Sequence, residues 1–330
     1  MKIMTNYPVY PNCLDSFGSM EGLREACTRM GLDGLEIIWG DPTIPPPPFD
    51  QQLTVGYHLP FWHDWVDFWR GDQKRLLSKF GTREAIRSFY GSEDPQVLIR
   101  HYEREMERAA SLGAEYVVFH VSDVSLEEGY TYQWQHSDRE VIDASLEVIN
   151  ALAGRRPWPF AILVENQWWP GFTFTNPDLT AYLLEGIQHR NKGILLDTGH
   201  LLNTNPALRD EPQAIRYLHD MLNRHEQIVP MIRGIHLHQS LSGEYVRTNT
   251  GFLPPDLAQD YFQRFAQTYP HVLQIDRHEP WTHQGIGEVI RRIDPEWLTH
   301  ELSASFPQDR EAAVLIQNRA LGRYFRTLDS

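Results

Sequence analysis

Residues 95–123 read PQVLIRHYEREMERAASLGAEYVVFHVSD, and this stretch contains the repeating unit that decides the fold. In its first part, 95–113, apolar residues recur at helical spacing, which predicts a long amphipathic helix. Its second part, 114–123, is an almost continuous apolar run, which is typical of a strand covered on both faces in a parallel sheet. The stretch therefore predicts one helix that leads directly into one buried strand.

The same alternation extends along the whole chain. Predicted strands lie at 1–5, 32–39, 55–62, 114–123, 160–168, 192–200, 232–240 and 297–304. Helices are predicted at 19–31, 95–113, 137–154, 177–187, 211–225 and 285–294, and a last helix closes the chain. Eight strand–helix units in a chain of this length favour a closed α/β barrel, the (β/α)8 or TIM barrel, over an open doubly wound sheet. We therefore predict a single TIM-barrel domain over residues 1–330 with extended loops on its active face.

The composition is that of an ordinary globular enzyme or binding protein. The 330 residues are 41% hydrophobic, which is enough for one large core. No apolar run is long enough to predict a membrane span, and the first ten residues, MKIMTNYPVY, do not resemble a signal peptide. The two cysteines, Cys13 and Cys27, fit a reducing compartment better than a disulfide scaffold. We predict a cytoplasmic protein, and its oligomeric state is left open.

The charge balance argues against nucleic acid as the partner. The formal net charge is −14, whereas binding to nucleic acid depends largely on neutralising phosphates. Lysine occurs only at Lys2, Lys74, Lys79 and Lys192. No glycine-rich nucleotide-binding motif follows any predicted strand, so a dinucleotide or ATP site is not indicated either. The expected partner is a small-molecule substrate.

Ionisable side chains recur where the predicted strands end. They are His58, His120, Glu165, Asp197, His200, His236 and Glu301. In a TIM barrel the carboxyl ends of the strands open into one shared mouth, so these side chains are expected to converge. A single histidine near a strand end is more often a hydrogen-bonded packing residue. Imidazoles and carboxylates from six consecutive strands, however, would repel one another or stay unsatisfied unless cations neutralised them.

A second cluster lies in QIDRHEPWTHQGI, residues 274–286, just before the predicted helix 285–294. It contains two carboxylates and two imidazoles, whereas a helix start needs at most one capping carboxylate. These residues are Asp276, His278, Glu279 and His283. Nitrogen and oxygen ligands without cysteine favour zinc, manganese or iron over magnesium or calcium. The two clusters together therefore support the hypothesis of a metal centre.

The sequence resembles the xylose isomerase-like superfamily of TIM barrels, which includes sugar isomerases, sugar epimerases and the endonuclease IV branch (AP endonuclease family 2). The resemblance extends over nearly the whole chain and rests on GLDGLEI, YHLPF, VFHVS, VEN, LDTGH, IHLHQS and HEL at successive predicted strands. For the isomerase and epimerase branch it implies one divalent metal and two glutamates that also move the substrate proton. The ligands implied are Glu165, Asp197, His236 and Glu301.

The sequence is similar to the endonuclease IV branch in a further respect, because that branch holds three metals with nine ligands and all nine ligand types occur here. By this resemblance the ligands form three sets, and Glu165 belongs to two of them. The sets are His58, His120 and Glu165; Glu165, Asp197, His236 and Glu301; and His200, Asp276 and His278. The cofactor implied is zinc or manganese, with up to three ions, and the implied catalytic residues are Glu165 and Glu301.

Two long segments on the predicted active face are expected to shape the substrate site. Residues 61–94, after strand three, are rich in aromatic side chains and are predicted to form a lid-like insertion. Residues 239–273, after strand seven, contain a predicted helix, and the endonuclease IV branch has a shorter connection there. Large rings also commonly pack loops onto a barrel. The candidate substrate contacts are Trp62, Trp65, Arg70, Trp168, Trp169, His238 and Arg247.

These features predict an enzyme that hydrolyses a phosphoester or phosphodiester of a bulky small molecule at a multinuclear metal site. On the nine ligands and the tryptophan-rich segment, the sequence resembles the endonuclease-like enzymes that remodel cobamides by cutting the nucleotide loop of a corrinoid. The first alternative is a mononuclear metal-dependent isomerase or epimerase of a sugar or sugar phosphate, in which Glu165 and Glu301 exchange a proton. A DNA phosphodiesterase of the AP endonuclease type is the second alternative, and a metal-free binding barrel is the third.

Overall fold

Eight parallel strands close into a barrel in the computed structural model, which describes residues 1–9, 17–39, 51–304 and 307–322. The strands are β1 (Lys2–Val9), β2 (Gly34–Trp39), β3 (Thr54–His58), β4 (Tyr116–His120), β5 (Ala161–Glu165), β6 (Lys192–Asp197), β7 (Ile232–Leu237) and β8 (Trp297–His300). Each strand pairs with the next along the chain, and β8 returns to β1 with Trp297 beside Lys2. The predicted (β/α)8 fold is confirmed.

Fourteen helices in the described part of the chain surround the barrel or lie at its mouth. Those of the outer layer are α1 (Met20–Met30), α5 (Gln96–Ser111), α7 (Asp138–Ala153), α8 (Pro177–Gly186), α10 (Glu211–Arg224), α13 (Ile286–Ile293) and α14 (Pro307–Leu321). Those that follow the carboxyl ends of strands are α2 (Val66–Arg70), α3 (Gln73–Phe80), α4 (Arg83–Tyr90), α6 (Leu126–Thr131), α9 (Thr198–Asn203), α11 (Gly243–Asn249) and α12 (Tyr261–Ile275).

The predicted helices agree with the observed ones to within two residues, because their ends carry ordinary capping signals. In α1, for example, the side chain of Ser19 accepts a hydrogen bond from the backbone of Gly22, and Gly31 ends the helix with a left-handed φ of 72°. The predicted strands are too long except the first, which is predicted over 1–5 and extends over Lys2–Val9. The run 114–123 forms a strand only over Tyr116–His120, since beyond it the carbonyl of Val121 accepts from the backbone of Phe172 in another loop.

Apolar side chains fill the barrel and leave the polar strand ends to its mouth. The interior cluster is Met4, Val55, Tyr116, Val118, Ala161, Leu163, Leu195 and Trp297. A much larger apolar core lies between the strands and the outer helices. Cys27 is a buried free thiol in this layer, and Cys13 lies outside the described residues. In the part of the chain that is described, no helix is long and apolar enough to cross a membrane.

The segment after β3 is a packed unit of three short helices, α2 to α4. Its aromatic side chains join the large apolar core, and the rings of Phe68 and Tyr90 stack with centroids 3.7 Å apart. Lys79 is buried in the same unit and lies 2.6 Å from the carboxylate of Asp64. Much of the aromatic content of 61–94 is therefore used for packing.

The segment after β7 contains α11 and α12 and leads into the second cluster of ionisable residues. Asp260 caps the start of α12, and the helix ends at Asp276, which is its C-terminal cap. The outer face of α12 exposes Phe262, Phe265 and Tyr269. The longer connection thus places Asp276 at a defined helix end.

Candidate metal centre

All nine residues predicted as metal ligands lie together at the carboxyl ends of the strands. Their ligand atoms form adjoining groups in which every atom lies within 4.8 Å of the others. Three of the four such groups among the described residues are His58, His120 and Glu165; Glu165, Asp197, His236 and Glu301; and His200, Asp276 and His278 together with His238. The three sets implied by the resemblance therefore recur as three groups in space.

The first group is centred on one oxygen of Glu165. Glu165 Oε2 lies 3.0 Å from His120 Nε2 and 3.6 Å from His58 Nε2. The other nitrogen of His58 lies 3.0 Å from the carbonyl of Leu59, which fixes the ring so that Nε2 faces the carboxylate. Two imidazole nitrogens and one carboxylate oxygen thus face one small volume.

The second group gathers three carboxylates around one nitrogen of His236. His236 Nδ1 lies 2.9 Å from Glu301 Oε2, 3.3 Å from Glu165 Oε1 and 3.7 Å from Asp197 Oδ2. Asp197 is also the N-cap of α9, where its Oδ1 accepts from the backbone N–H of His200 and leaves Oδ2 for the group. Because Glu165 presents Oε2 to the first group and Oε1 to the second, it bridges the two.

The third group is built by α9, α12 and the turn that follows α12. Asp276 Oδ2 lies 3.2 Å from His200 Nε2 and 2.6 Å from His278 Nε2. Ser240 Oγ donates to the other oxygen of Asp276 at 3.0 Å and holds the carboxylate in place. The long connection after β7 therefore does not prevent Asp276 and His278 from reaching the mouth.

His238, predicted as a substrate contact, is a fully buried member of the third group. Its ring stacks on that of His278 with centroids 4.1 Å apart, and its Nε2 lies 3.0 Å from Asp197 Oδ2. Gly199 makes room for it, because a Cβ there would lie 2.0 Å from His238 Cε1. The structure thus places His238 among the ligand atoms of the third group.

Glu36 of β2 is the residue that sequence reasoning missed. It is fully buried, and its Oε1 lies 2.9 Å from His236 Nε2. The available signal was a carboxylate inside an otherwise apolar strand, in the motif GLDGLEI. A buried carboxylate needs a specific partner.

Opposite charges at the centre stabilise one another strongly. Burial alone would raise the pKa of Glu165, but the imidazoles of His120 and His236 outweigh it and hold that pKa well below the ordinary value. Burial would likewise lower the pKa of His236. The surrounding carboxylates, of which Glu301 has the largest effect, nevertheless raise that pKa well above the ordinary value. Burial would also lower the pKa of His278, but the carboxylate of Asp276 raises it to about 9.

Two buried carboxylate oxygens of the donor set lack a hydrogen-bond partner. Glu165 Oε2 and Glu301 Oε2 are buried and make no hydrogen bond of proper geometry, although imidazole nitrogens lie within 3.0 Å of both. A carboxylate oxygen is costly to bury in this state unless a cation completes its surroundings. The geometry and the chemistry of the groups therefore fit divalent metal ions.

Three predicted substrate contacts are not brought to the centre. Trp65 is buried and its Nε1 donates to the carbonyl of Ser122, so it packs the α2–α4 unit onto the barrel. The ring of Trp62 stacks on His101 of α5. Arg70 pairs at the surface with Glu147 of α7. The structure therefore does not support substrate contacts by these three residues, since the aromatic run packs into the large apolar core and Arg70 pairs at the surface.

The other three candidates line one groove beside the centre. Trp168, Trp169 and Arg247 contribute to a groove of about 730 Å3, together with Tyr132 and the half-exposed Trp134. The ring of Trp168 lies 5.1 Å from that of His200, so the groove adjoins the third group. Its size falls in the range of small-molecule sites.

A second, smaller cavity lies on the other side of Trp169. It measures about 240 Å3 and is lined by apolar and uncharged residues, among them Phe61, His63 and Phe265. Burial lowers the pKa of His63 to about 4, so its ring is neutral at pH 7. Phe61 packs against the ring of His120 at 4.5 Å, which connects this cavity to the first group.

Comparison with known proteins agrees with the architecture. The family model described as xylose isomerase-like TIM barrel matches residues 24–312. No curated protein matches the chain by sequence. Two solved structures of similar fold are a D-tagatose 3-epimerase-like protein (15% identity, covering 97% of each chain, TM-score 0.51) and an L-ribulose 3-epimerase (13% identity, covering 97% of this chain and 94% of that chain, TM-score 0.50).

The names of these two structures are those of a sugar 3-epimerase and of a protein similar to one. At 13–15% identity the likeness itself establishes the fold alone. The sequence match, however, spans most of the chain, and the resemblance stated from the strand motifs is confirmed. The chain therefore belongs to the xylose isomerase-like TIM barrel family.

Proposed function

We propose that this protein is a metal-dependent hydrolase that cleaves a phosphoester or phosphodiester of a bulky small molecule. One observation carries the proposal: the two oxygens of Glu165 serve two adjoining ligand groups. The third group adjoins them through His200, whose Nδ1 lies 3.3 Å from Glu165 Oε1. One cation does not need this number of ligands, whereas multinuclear centres are a common arrangement for phosphate ester chemistry.

The ligand types suit Zn2+ or Mn2+. The groups found among the described residues consist of imidazole nitrogens and carboxylate oxygens, without thiolate. When bound, such ions would supply the positive charge that neutralises phosphoryl oxygens and activates water.

The chain's own residues would hold and orient the reacting groups. Glu165, Asp197 and Glu301 concentrate negative charge at one side of the mouth, which favours retention of cations there. The rings of Phe61 and Trp168 lie against His120 and His200 and restrict the access of bulk water. Lower water content strengthens the electrostatic interactions on which phosphoryl chemistry depends.

The proposed substrate is a small molecule with a large organic group. The groove of about 730 Å3 has aromatic walls and one arginine, Arg247, which offers a contact for an anionic group. A corrinoid phosphodiester, as in a cobamide, is one substrate of this kind. The net charge of −14 weighs against DNA, whose binding would need a basic surface.

A sugar isomerase or epimerase is the second candidate, and a specific observation favours it as well. Glu165 Oε1 and Glu301 Oε2 both lie within 3.3 Å of His236 Nδ1, so two carboxylates flank a single cation position. Two such carboxylates could remove and return a proton on a sugar carbon. This reaction would need the second group alone and gives no role to Asp276 and His278.

One experiment separates the two candidates. The purified protein, loaded with Zn2+ or Mn2+, is analysed for metal content and assayed against bis(p-nitrophenyl) phosphate, a cobamide, an abasic-site DNA duplex and a panel of ketohexoses. The proposal expects two or three ions per chain and hydrolysis of phosphodiesters. A single ion per chain with epimerisation of a ketohexose would overturn it in favour of the second candidate, and preferential cleavage of the duplex would identify a DNA enzyme.

A further inference from the structure

Glu36 lies in the motif GLDGLEI, for which the proposed reaction supplies no role. Its side chain is fully buried inside the barrel. Glu36 Oε1 lies 2.9 Å from His236 Nε2, and Glu36 Oε2 accepts hydrogen bonds from Tyr116 Oη at 2.5 Å and from Thr299 Oγ1 at 3.1 Å. These contacts join β2, β4, β7 and β8 across the interior of the barrel.

The contacts of Glu36 differ from those of the carboxylates in the second group. Both of its oxygens are engaged by donors, whereas Glu165 Oε2 and Glu301 Oε2 make no hydrogen bond. Glu36, His58 and His236 do lie close enough together to hold a cation. An ion there, however, would have to displace hydrogen bonds that Glu36 already makes, so Glu36 is better suited to hold a ligand than to be one.

Carboxylates face both ring nitrogens of His236, so a cation can bind only at the nitrogen that gives up its hydrogen, while the other nitrogen keeps its own. A carboxylate can only accept hydrogen bonds, so His236 Nε2 keeps its contact with Glu36 only as an N–H donor. A neutral imidazole has one N–H, and its other nitrogen has the lone pair that binds metals. That other nitrogen, Nδ1, faces Glu165, Asp197 and Glu301.

We infer that Glu36 is a positioning residue that fixes the Nε2–H tautomer and the ring orientation of His236, so that Nδ1 is the nitrogen offered to a cation. Tyr116 and Thr299 hold Glu36 in turn. Gly56 of β3 leaves the space for this arrangement, because a Cβ there would lie 2.3 Å from Tyr116 Cζ. Carboxylates that hold the second nitrogen of a ligating histidine commonly tune metal affinity.

The inference rests on the proposed metal dependence but not on the reaction, since the hydrolase and the isomerase would both use His236. The test compares the wild-type chain with Glu36→Gln, which keeps the size of the side chain and removes its charge. Glu105→Gln is the matched control, because Glu105 is also a buried carboxylate that accepts from a tyrosine, Tyr57, and contacts none of the ligand groups.

Two quantities are measured on the full chain with Zn2+: the affinity, by competition with a chelator, and the 15N chemical shifts of the histidine rings. We expect His236 to bind through Nδ1 with hydrogen on Nε2 in the wild type. Glu36→Gln should weaken Zn2+ binding about 10- to 100-fold and change the His236 signals. Glu105→Gln should alter neither.

Zinc bound through His236 Nε2, or wild-type affinity and unchanged ring signals in Glu36→Gln, would overturn the inference while leaving metal dependence intact. A wild-type chain that binds no Zn2+ would overturn the metal dependence and the inference with it. If Glu36→Gln does not fold, Tyr116→Phe removes one of the donors that hold Glu36. Weaker Zn2+ binding with shifted His236 signals is then expected, and unchanged values count against the inference.

Discussion

Asp276 Oδ2 lies 2.6 Å from His278 Nε2, and a single residue separates the two in the chain. The backbone at His278 is left-handed, with a φ of 50°, a conformation that costs a residue other than glycine roughly 1–2 kcal/mol. The fold therefore maintains this pair against local strain, which is a common property of functional sites.

Substitution of His278 tests the third group. His278→Ala should lose about one metal ion per chain and most phosphodiesterase activity, because the third group would lose one of its imidazole ligands and hold an ion weakly. Metal analysis and an assay with bis(p-nitrophenyl) phosphate measure both effects. His271→Ala is the control, since His271 is a buried histidine of α12 whose ring nitrogens contact Tyr245 and the carbonyl of Gly129, outside the ligand groups. Full metal content and activity in His278→Ala would remove the third group from the function.

Substitution of Glu165 tests the bridge between the first two groups. In Glu165→Gln the side chain keeps its size but loses the charge on which both groups depend, so we expect the loss of at least one ion and of turnover. Metal content and activity are compared with those of Glu105→Gln, which also converts a buried glutamate to its amide. Wild-type turnover in Glu165→Gln would place the active site elsewhere in the protein.

The uptake of metal should release protons at pH 7. Although burial opposes its charged form, the pKa of His278 is raised to about 9 by Asp276, so in the metal-free protein this ring is protonated at pH 7. A ligating nitrogen must be deprotonated, and metal binding therefore displaces the proton. Calorimetric titration with Zn2+ in buffers of different ionisation enthalpy measures the release, which should decline as the pH rises above about 9. Proton release independent of pH between 7 and 10 would contradict this assignment.

The raised pKa of His278 also predicts how the stability of the metal-free protein depends on pH. A histidine whose folded-state pKa is raised stabilises the fold fully below its unfolded pKa of about 6.5, and that contribution is lost as the pH rises through the folded pKa. Between about pH 6.5 and pH 9 the contribution of His278 to the free energy of unfolding should therefore fall. Urea denaturation in the presence of a chelator measures it, and His278→Ala should show a shallower decline. Equal declines in both proteins would refute the prediction.

The buried lysine of the α2–α4 unit should be important for stability and not for metal binding. Lys79 Nζ lies 2.6 Å from Asp64 and 2.7 Å from Asp67, and all three side chains are buried. Lys79→Met leaves the carboxylate of Asp64 buried without its cation, whereas Asp67 keeps Arg75 at 3.2 Å and His136 at 3.1 Å. We expect the free energy of unfolding to fall by about 3–5 kcal/mol. Lys74→Met, at an exposed position of α3, should change it by less than about 0.5 kcal/mol. Urea denaturation measures the free energy of unfolding of both variants. Equal values for Lys79→Met and Lys74→Met would show that the buried ion pair of Lys79 contributes nothing to stability.

Much of the fold could be predicted because local and long-range signals agree. Helix ends carry caps such as Ser19, and the parallel strands are continuous apolar runs, so the alternation of elements alone implies a closed barrel. The ligand positions followed from the same reasoning, since a residue at the carboxyl end of a barrel strand points into the mouth. Asp276 and His278 needed the resemblance as well, because they lie beyond a helix and not at a strand end.

The remaining features depend on tertiary packing that no local pattern shows. The sequence could not reveal that Trp65 would turn inward to bond with the backbone of Ser122, since an aromatic run is equally compatible with a pocket and with a core. The role of Glu36 could not be predicted, because its partners, Tyr116 and Thr299, are 80 and 263 residues away in the chain. His238 lies on the same strand end as His236, and only the three-dimensional arrangement shows that it is buried among ligand atoms.

If metal ions occupy the first two groups, as proposed, the shared carboxylate of Glu165 links their binding. An ion at one position would neutralise part of the carboxylate charge that also attracts an ion to the other position. It would also fix the carboxylate in the orientation that both positions require. Binding at the two positions would then be thermodynamically linked, and a metal titration should not fit one average dissociation constant.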